Sequence, residues 1–379
     1  MNKPIYLDYN ATTPHAPEVI EAMRPYIEEH FGNPSSSHWY GIEPKRAMEK
    51  ARKQVADLLR CVPEEIIFTS GGTEANNHAI KGIAWAMKDK GNHIITSAIE
   101  HPAVLEVCRS LDEFGFETTV LPVNNQGLVA PDDVRKAIRS GTILITIMHA
   151  NNEVGTIQPI AEIGEIAHSH EIPLHTDAAQ SVGKIPAVVG DLRVDLLSVA
   201  GHKVYAPKGV GALYVRNGVH LEKFCHGAGQ ERGQRAGTEN VMQIVGLGRA
   251  CASAASKLQQ HMGKMRMLRD WLYDKLFSNV QGIKINGHPE QRLPNTLSVS
   301  FKGLEADRII ARIGDEVAVS AGAACHSGTV NISHVLKAMG VGEEWAKGTL
   351  RFSVGRMTTV EEIDKAADVV IAAVNEIRG

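Results

Sequence analysis

The feature that most constrains the fold is an alternation of short apolar strands with helix-length segments. The clearest strand candidates are EIIFTS (65–70), HIITS (93–97), ETTVLPV (117–123) and TILITIM (142–148). Apolar residues at helical spacing occupy residues 43–60, just before the first of these strands. Further strands are predicted near 173–176, 194–199 and 210–215. The pattern predicts an α/β fold, in which a mostly parallel seven-stranded sheet is covered by helices on both faces.

The C-terminal part of the chain follows a different pattern. A long helical region around 240–278 precedes the strands TLSVSF (296–301) and GTLRFSV (348–354), and a final helix starts at about residue 359. Between them we predict a helix near 305–313, a strand near 317–320 and a helix from Ser333. A chain of 379 residues exceeds the size of most single cores. We therefore predict a large domain over residues 15–260 and a smaller α+β domain formed by residues 1–14 and 261–379.

Charge and composition exclude several classes of partner. The formal net charge is −3 and the sequence has no long basic run, so we expect neither nucleic-acid binding nor attraction to an anionic membrane. No apolar stretch approaches the roughly 20 residues of a membrane helix, and MNKPIYLDYN lacks the apolar core of a signal peptide. We expect a cytoplasmic location.

The cysteines predict neither a disulfide framework nor a metal site. There are five of them, an odd number, widely spaced and without a CxxC pair: Cys61, Cys108, Cys225, Cys251 and Cys325. We expect reduced thiols and no bound metal. Only Cys325 lies in a run of small residues, AGAACHSGTV (321–330), where a thiol is either a small packing residue or a reagent.

The segment SVAGHKVYAPKGVGALYV (198–215) places His202 and Lys203 directly after a buried strand. A lone lysine is normally a solvated surface charge. The significance of Lys203 depends on three other motifs at strand ends. Each of these motifs supplies a group that one kind of cofactor requires.

In FTSGGTEANNHAIKG (68–82), Gly72 and Thr73 open a helix whose N-terminus favours phosphate, although an ordinary helix cap fits equally well. In LHTDAAQSVGK (174–184), Asp177 could hold a pyridine nitrogen protonated, or simply cap a turn. His101 follows the strand HIITS and could stack on a flat ring, shuttle a proton or be structural. Taken together in this order, the motifs point to a shared cofactor site.

The sequence resembles the cysteine desulfurases, which are fold-type I enzymes related to class-V aminotransferases and dependent on pyridoxal 5′-phosphate. The resemblance runs almost end to end. It rests on the motifs YLDYNATTP (6–14), FGNPSSSH (31–38), SGGTEANN, EHPAV, HANNEVGTIQPI, HTDAAQ, GHKVYAPKG, GQERGQRAGTEN, the cysteine loop and LRFSVGR.

The resemblance implies roles for residues around the cofactor ring. Lys203 would form the Schiff base, and Asp177 would bind the pyridine nitrogen. Gln180 and Asn152 would contact the ring oxygen or the neighbouring substrate, while His101 would stack on the ring. These roles imply that Lys203 becomes the proton shuttle once an incoming amino acid displaces it.

The resemblance also implies the phosphate site. Gly72, Thr73, Gly201 and His202 would contribute to it, and Thr238 would reach across from the second subunit of a homodimer. The sequence departs from the family at Ala200, where many desulfurases carry a phosphate-binding serine. One phosphate contact is therefore expected to be missing or replaced, with more effect on cofactor affinity than on chemistry.

Two further residues are implied at the substrate. Arg351 resembles the arginine that binds the substrate carboxylate, with Asn33 as its helper, and a bidentate guanidinium suits a planar carboxylate. The alternative for Arg351 is an ion pair at the surface or between domains. Cys325 would attack the substrate sulfur and carry it as a persulfide, which is then passed to an acceptor such as an iron–sulfur scaffold or a tRNA-thiolating enzyme.

Three other functions are alternatives for this sequence. Selenocysteine lyase shares the cofactor site, and the wording GAACHS (322–327) resembles that branch as well. Transamination would leave Cys325 without a role. A non-catalytic scaffold would be expected to lack Lys203, Asp177 or His101, and all three are present. The predicted function is conversion of L-cysteine to L-alanine with sulfur transfer, and L-selenocysteine is the alternative substrate.

Overall fold

The computed structural model describes the backbone of residues 3–326 and 329–379 and the side chains of residues 3–322 and 332–379. Its helices are α1 (Pro17–Glu28), α2 (Trp39–Leu59), α3 (Gly72–Ala86), α4 (Pro102–Asp112), α5 (Pro131–Ala137), α6 (Ile160–Ser169), α7 (Val189–Leu192), α8 (Val241–Asn279), α9 (Ala306–Ile313), α10 (His334–Ala338), α11 (Glu343–Ala346) and α12 (Val360–Arg378).

Its strands are β1 (Ile5–Tyr6), β2 (Ile66–Thr69), β3 (His93–Ser97), β4 (Glu117–Leu121), β5 (Thr142–Thr146), β6 (Leu174–Asp177), β7 (Leu196–Ala200), β8 (Gly211–Val215), β9 (Ile283–Asn286), β10 (Thr296–Phe301), β11 (Val317–Ala318), β12 (Ser320–Ala321), β13 (Ala323–His326), β14 (Thr329–Ile332) and β15 (Thr349–Ser353).

The central sheet has seven strands in the order β2-β8-β7-β6-β5-β3-β4. Strand β8 runs antiparallel to both of its neighbours, whereas the pairings from β7 through to β4 are parallel. The predicted α/β fold with a mostly parallel seven-stranded sheet is therefore confirmed.

Side-chain alternation explains why helices cover both faces of this sheet. Ile95 of β3 and Ile145 of β5 join a core cluster with apolar residues of α2, α6 and α8. Their neighbours Ile94 and Leu144 point the other way and join a cluster with residues of α3 and α4. Because successive strand residues face opposite sides, a strand buried on both faces must be apolar throughout.

The C-terminal part builds a separate antiparallel sheet in the order β12-β15-β10-β9. A core cluster there combines Leu7 with residues between Met265 and Val374, mainly from this sheet, α9, α12 and the second half of α8. Helix α8 is 39 residues long and contributes to the cores of both parts. The proposed domain boundaries at residues 14 and 260 stay a prediction.

Several details differ from the predicted elements. Helix α2 begins at Trp39 rather than near residue 43, and it continues through Pro44, which lacks the N–H for one helical hydrogen bond. Strands β1 and β9 were not predicted, because they are short and only half buried along most of their length. Cys325 falls in the hairpin β13–β14 by backbone, but its side chain lies outside the described residues. Within residues 3–326 and 329–379, no helix combines the length and apolarity needed to span a bilayer.

Candidate active site

A cavity of about 410 Å³ opens where β6 and β7 end. Ligands of parallel sheets bind at this carboxyl edge. The lining includes nine of the residues predicted from the sequence: Gly72, Thr73, His101, Asn152, Asp177, Gln180, His202, Lys203 and Arg351. The fold thus brings together side chains that are far apart in the sequence.

Lys203 ends a 3₁₀ turn, Gly201–Lys203, that follows β7 directly. Its Nζ donates to the carbonyl oxygens of Asn10 and, at 2.7 Å, Ala11. Burial lowers the pKa of Lys203 to about 8, helped by the charge of Arg351 and opposed by the carboxylates of Asp8 and Asp177. About a tenth of this amine is therefore unprotonated at pH 7, far more than for a lysine with its ordinary pKa, as an amine base requires.

Asp177 is the last residue of β6 and is buried, with 6% of its surface exposed. Its Oδ2 accepts a 2.7 Å hydrogen bond from Asn76 Nδ2, and its Oδ1 accepts one from the Ala179 backbone at 2.9 Å. These two donors fix the carboxylate at the cavity wall. An aspartate held in this way can accept a hydrogen bond from a protonated ring nitrogen of a ligand.

His101 occupies the N-cap of α4 and opens onto the cavity. Its Nδ1 accepts a 3.1 Å hydrogen bond from the Ala103 backbone, so the neutral ring carries its proton on Nε2. Desolvation by the surrounding protein lowers the pKa of His101; Lys203 and His334 lower it further, and Asp177 opposes them. The ring is therefore neutral near pH 7, which suits stacking against a flat ligand.

The N-terminus of α3 forms the far wall of the cavity. Gly72 and Thr73 open this 15-residue helix, and the first backbone N–H groups of a helix have no acceptor within it. A Cβ at Gly72 would lie 3.1 Å from the Cβ of Ala200, so glycine keeps this wall open. His202 lies beside them; burial, with Lys203 and Lys208, lowers its pKa to about 4. The donors and the helix dipole suit an anion.

Arg351 of β15 reaches the cavity from the C-terminal sheet. Its Nη2 pairs with Asp8 Oδ1 at 2.7 Å and contacts Ser320 Oγ at 2.8 Å, while Nη1 donates to the Asn152 carbonyl at 3.1 Å. The alternative interpretation, an ion pair, is thus also present. Nε is buried and has no hydrogen-bond partner among the described side chains and backbone. Nη1 carries a second N–H besides the one that it donates to Asn152, and this N–H has no recorded partner within the described residues.

Four predicted residues are not among the described lining of this cavity. Asn33 and Thr238 are exposed elsewhere, and Asn33 Oδ1 accepts from the Ser35 backbone at 2.9 Å. Gly201 is buried, and a Cβ there would lie 2.7 Å from the Val210 carbonyl, so its immediate role is close packing. The Cys325 side chain lies outside the described part. Their functional roles stay predictions.

Three buried polar residues at the site were not predicted from the sequence. Asn76 orients Asp177, and Asn10 lines the cavity and accepts hydrogen bonds from Gln180 and Lys203 at its backbone carbonyl. Lys184 lies behind the cavity and contacts Gln180. Asn76 lies one helical turn after Thr73 in α3, and Lys184 lies four positions after Gln180. These spacings were the available signal. Asn10 lies within the motif YLDYNATTP, but its contacts did not follow from the motif, because its neighbours come from distant parts of the chain.

Comparison with known proteins places these features in context. The aminotransferase class-V family profile matches residues 5–366. Cysteine desulfurase IscS of Dictyoglomus turgidum is 48% identical over 379 residues, covering 100% of this chain and 96% of that protein. A solved structure named NifS-like protein has a TM-score of 0.93 at 39% identity, covering 98% of this chain and 100% of that one. Another, SspA in complex with cysteine, has a TM-score of 0.82 at 39% identity, with coverages of 94% and 100%.

The fold and the cavity, together with these matches, define a class-V aminotransferase-like enzyme. Within that class, the chain belongs to the cysteine desulfurase family.

Proposed function

We propose that this chain is a pyridoxal 5′-phosphate-dependent cysteine desulfurase, which converts L-cysteine to L-alanine and transfers the sulfur to Cys325. The observation that carries the proposal is Lys203, an amine with a pKa of about 8 in a cavity that also contains Asp177 and Arg351. Curated relatives named cysteine desulfurase and a similar structure in complex with cysteine support L-cysteine as the substrate.

The residues present fit the proposed cofactor. The α3 N-terminus and His202 supply donors at one end of the cavity, where a phosphate would be held, and Asp177 supplies an acceptor for the pyridine nitrogen. Ala200 lines the phosphate end without a hydroxyl, so backbone N–H groups and Thr73 would carry more of that contact. When bound, pyridoxal phosphate withdraws electrons from the substrate Cα and stabilises a carbanion there.

Lys203 is the proposed proton carrier. Its Nζ would take the proton from the substrate Cα and would later return a proton to the product. The low pKa of Lys203 follows from burial and from the charge of Arg351, so the cavity wall sets the pKa of the proposed base. The Asn10 and Ala11 carbonyls accept hydrogen bonds from Nζ and hold it at the cavity floor between transfers.

Arg351 is the proposed anchor of the substrate carboxylate. Its pairing with Asp8 and with the Asn152 carbonyl fixes the guanidinium plane, and the second N–H of Nη1 has no recorded partner within the described residues. A guanidinium held in a fixed plane orients a carboxylate in a defined direction. Asn33 is proposed to assist from the loop before α2.

Cys325 is the proposed sulfur acceptor. The Cβ–S bond of cysteine breaks and a bond forms between that sulfur and the Cys325 sulfur, while Cβ gains a proton. The products are L-alanine and a persulfide on Cys325, so that cysteine plus enzyme thiol balances alanine plus enzyme persulfide. A sulfur-acceptor protein, such as an iron–sulfur scaffold or a tRNA-thiolating enzyme, would then take the sulfur.

The assembly and location proposed with this function are a homodimer in the cytoplasm. Thr238 is exposed in the single chain, as expected of a residue that completes a partner subunit's phosphate site. Size-exclusion chromatography with light scattering measures the dimer directly. A monomer with full activity would show that Thr238 does not complete the phosphate site of a partner subunit.

The cofactor assignment is tested by absorbance. The purified chain loaded with pyridoxal 5′-phosphate is expected to show visible absorbance that Lys203→Ala abolishes. The matched control is Lys208→Ala, which removes an exposed lysine close to His202. Unchanged visible absorbance in Lys203→Ala would show that Lys203 does not bond to the cofactor, and it would refute the proposed chemistry.

A further inference from the structure

Lys184 is a buried lysine for which the reaction above has no use. Only 5% of its surface is exposed, and it lies in the turn that follows β6. Its Nζ donates to Gln180 Oε1 at 2.7 Å and to Asn10 Oδ1 at 3.0 Å. Its recorded partners within the described residues are thus amide oxygens rather than carboxylates. Burial of a lysine costs free energy, and the hydrogen bonds to these two amide oxygens offset part of that cost.

The two amides that Lys184 contacts have fixed orientations. Gln180 Nε2 donates to the Asn10 backbone carbonyl at 3.0 Å, and Asn10 Nδ2 donates to the Asn152 carbonyl at 3.1 Å. A carbonyl oxygen can only accept, so both amide nitrogens must face these carbonyls and both amide oxygens must face Lys184. The assignment therefore follows from the contacts rather than from a choice between oxygen and nitrogen.

The charge state of Lys184 agrees with this role as a donor. Burial lowers the pKa of Lys184 well below its usual range, and Lys203 and Arg351 lower it further. An ammonium group has three N–H donors and a neutral amine has two, so Lys184 can donate to both amide oxygens in either state.

The local backbone is shaped to bring Lys184 under Gln180. Gly183, directly before it, has φ +76°, a conformation that L side chains rarely adopt. A Cβ at Gly183 would also lie 2.5 Å from Val204 Cγ2. Glycine at position 183 thus permits the turn that places the Lys184 side chain against Gln180, four positions earlier.

We propose that Lys184 is a positioning residue that holds the Gln180 side-chain amide with its nitrogen towards the cofactor site. Gln180 lines the cavity, and one of its two amide protons is committed to Asn10. The second N–H would then be the donor to the cofactor's phenolic oxygen. Without Lys184, Oε1 is a buried acceptor with no donor, and the amide turns away to satisfy it. This inference rests on the proposed function.

The test is the pKa of the bound cofactor, read from its visible absorbance as pH is varied. A hydrogen-bond donor to the phenolic oxygen stabilises the negative charge on that oxygen. It therefore lowers the pKa of the neighbouring nitrogen through which Lys203 would bond to the cofactor. Lys184→Met removes the donor but keeps an unbranched side chain, and we expect it to raise this pKa by about one unit, the size expected for one hydrogen bond to a charged oxygen. Lys184→Gln, which can donate but is shorter, should give a smaller rise.

A double-mutant cycle separates positioning from the loss of a nearby charge. In a Gln180→Ala background, Lys184→Met should cause no further change in the cofactor pKa. Lys208→Met is the matched control, because it removes an exposed lysine near the site that has no recorded contact with Gln180. Thermal denaturation of each variant reports any general loss of stability, which by itself does not move the cofactor pKa.

Two results would overturn the inference. One is an unchanged cofactor pKa in both Lys184→Met and Lys184→Gln, and Lys184→Gln alone decides the question if the methionine variant does not fold. The other is an equal rise with and without Gln180, which would mean that Lys184 acts through its own charge. Failure of the wild-type chain to bind pyridoxal 5′-phosphate would instead refute the proposed function, so the two failures are distinguishable.

Discussion

Replacing Glu100 by glutamine should remove a pH dependence of stability that the wild-type chain carries. Glu100 is fully buried, directly before His101. Its Oε1 accepts from Ser97 Oγ at 2.6 Å and from the Met148 backbone at 2.9 Å, whereas Oε2 has no hydrogen-bond partner among the described residues. Burial, with a smaller contribution from the charge of Asp177, raises the pKa of Glu100 from 4.5 to about 8.

The direction of the effect follows from that raised pKa. The folded chain binds the Glu100 proton more tightly than the unfolded chain, so this stabilising contribution is complete below about pH 4.5 and is lost as pH rises to about 8. Each pH unit in that range lowers the free energy of unfolding by about 1.4 kcal/mol. Between about pH 6.5 and about pH 8 the loss is about 2 kcal/mol.

This window also avoids the buried histidines. Burial lowers the pKa of His149 to about 4 and that of His175 to about 3, so their contributions change below pH 6.5. Lys203, with a pKa lowered from 10.5 to about 8, acts mainly above the window. Comparison of the wild type with Glu100→Gln cancels whatever remains of these effects.

The assay is urea unfolding followed by far-ultraviolet circular dichroism at both ends of the window. Relative to wild type, Glu100→Gln should gain about 2 kcal/mol of stability from about pH 6.5 to about pH 8. Glu106→Gln, an exposed carboxylate on α4, is the matched control and should show no such gain. Parallel stability curves for wild type and Glu100→Gln would show that Glu100 is not protonated in the folded chain, which would refute the reasoning.

Three further predictions concern the site and the core. Arg351→Lys should raise the KM for L-cysteine about tenfold or more, because a lysine cannot replace the planar fork; steady-state kinetics with an unchanged KM would contradict this. Cys325→Ser should retain the visible cofactor absorbance but lower sulfide release by about 100-fold or more, and undiminished release would exclude this thiol as the acceptor. Glu231→Gln should lower the free energy of unfolding by about 3 kcal/mol, because it leaves Arg52 buried without its 2.7 Å partner. Glu49→Gln, which removes the exposed partner of the same arginine, should cost less than about 1 kcal/mol in the same urea assay, and equal losses would contradict the argument.

The central sheet was predictable because its strands are buried on both faces. Strands β3 and β10 match HIITS and TLSVSF residue for residue, and β5 ends two residues before the predicted end. Continuous apolar runs of this kind leave little alternative to a parallel sheet between helices. The two-residue strand β1 depends instead on pairing with β11, which is more than 300 positions away, and no local pattern reveals such a partner.

The site was predictable where a motif ends a strand. Asp177 and Lys203 each follow an apolar run directly, and the fold places such positions along one edge. Asn10 was not predictable, because its importance comes from contacts with Gln180, Lys184 and Asn295, none of which is near it in the sequence. The network behind the cavity is thus a product of tertiary structure.

The most direct test of the central claim is product analysis of the cofactor-loaded chain. L-cysteine and L-selenocysteine are supplied separately with dithiothreitol, which releases persulfide sulfur as sulfide, and alanine is measured together with sulfide or selenide. We expect equal amounts of alanine and sulfide from L-cysteine, with formation of both abolished in Lys203→Ala and sulfide release strongly reduced in Cys325→Ser. Alanine from L-selenocysteine alone, or a keto acid in place of alanine, would contradict the assignment as a cysteine desulfurase.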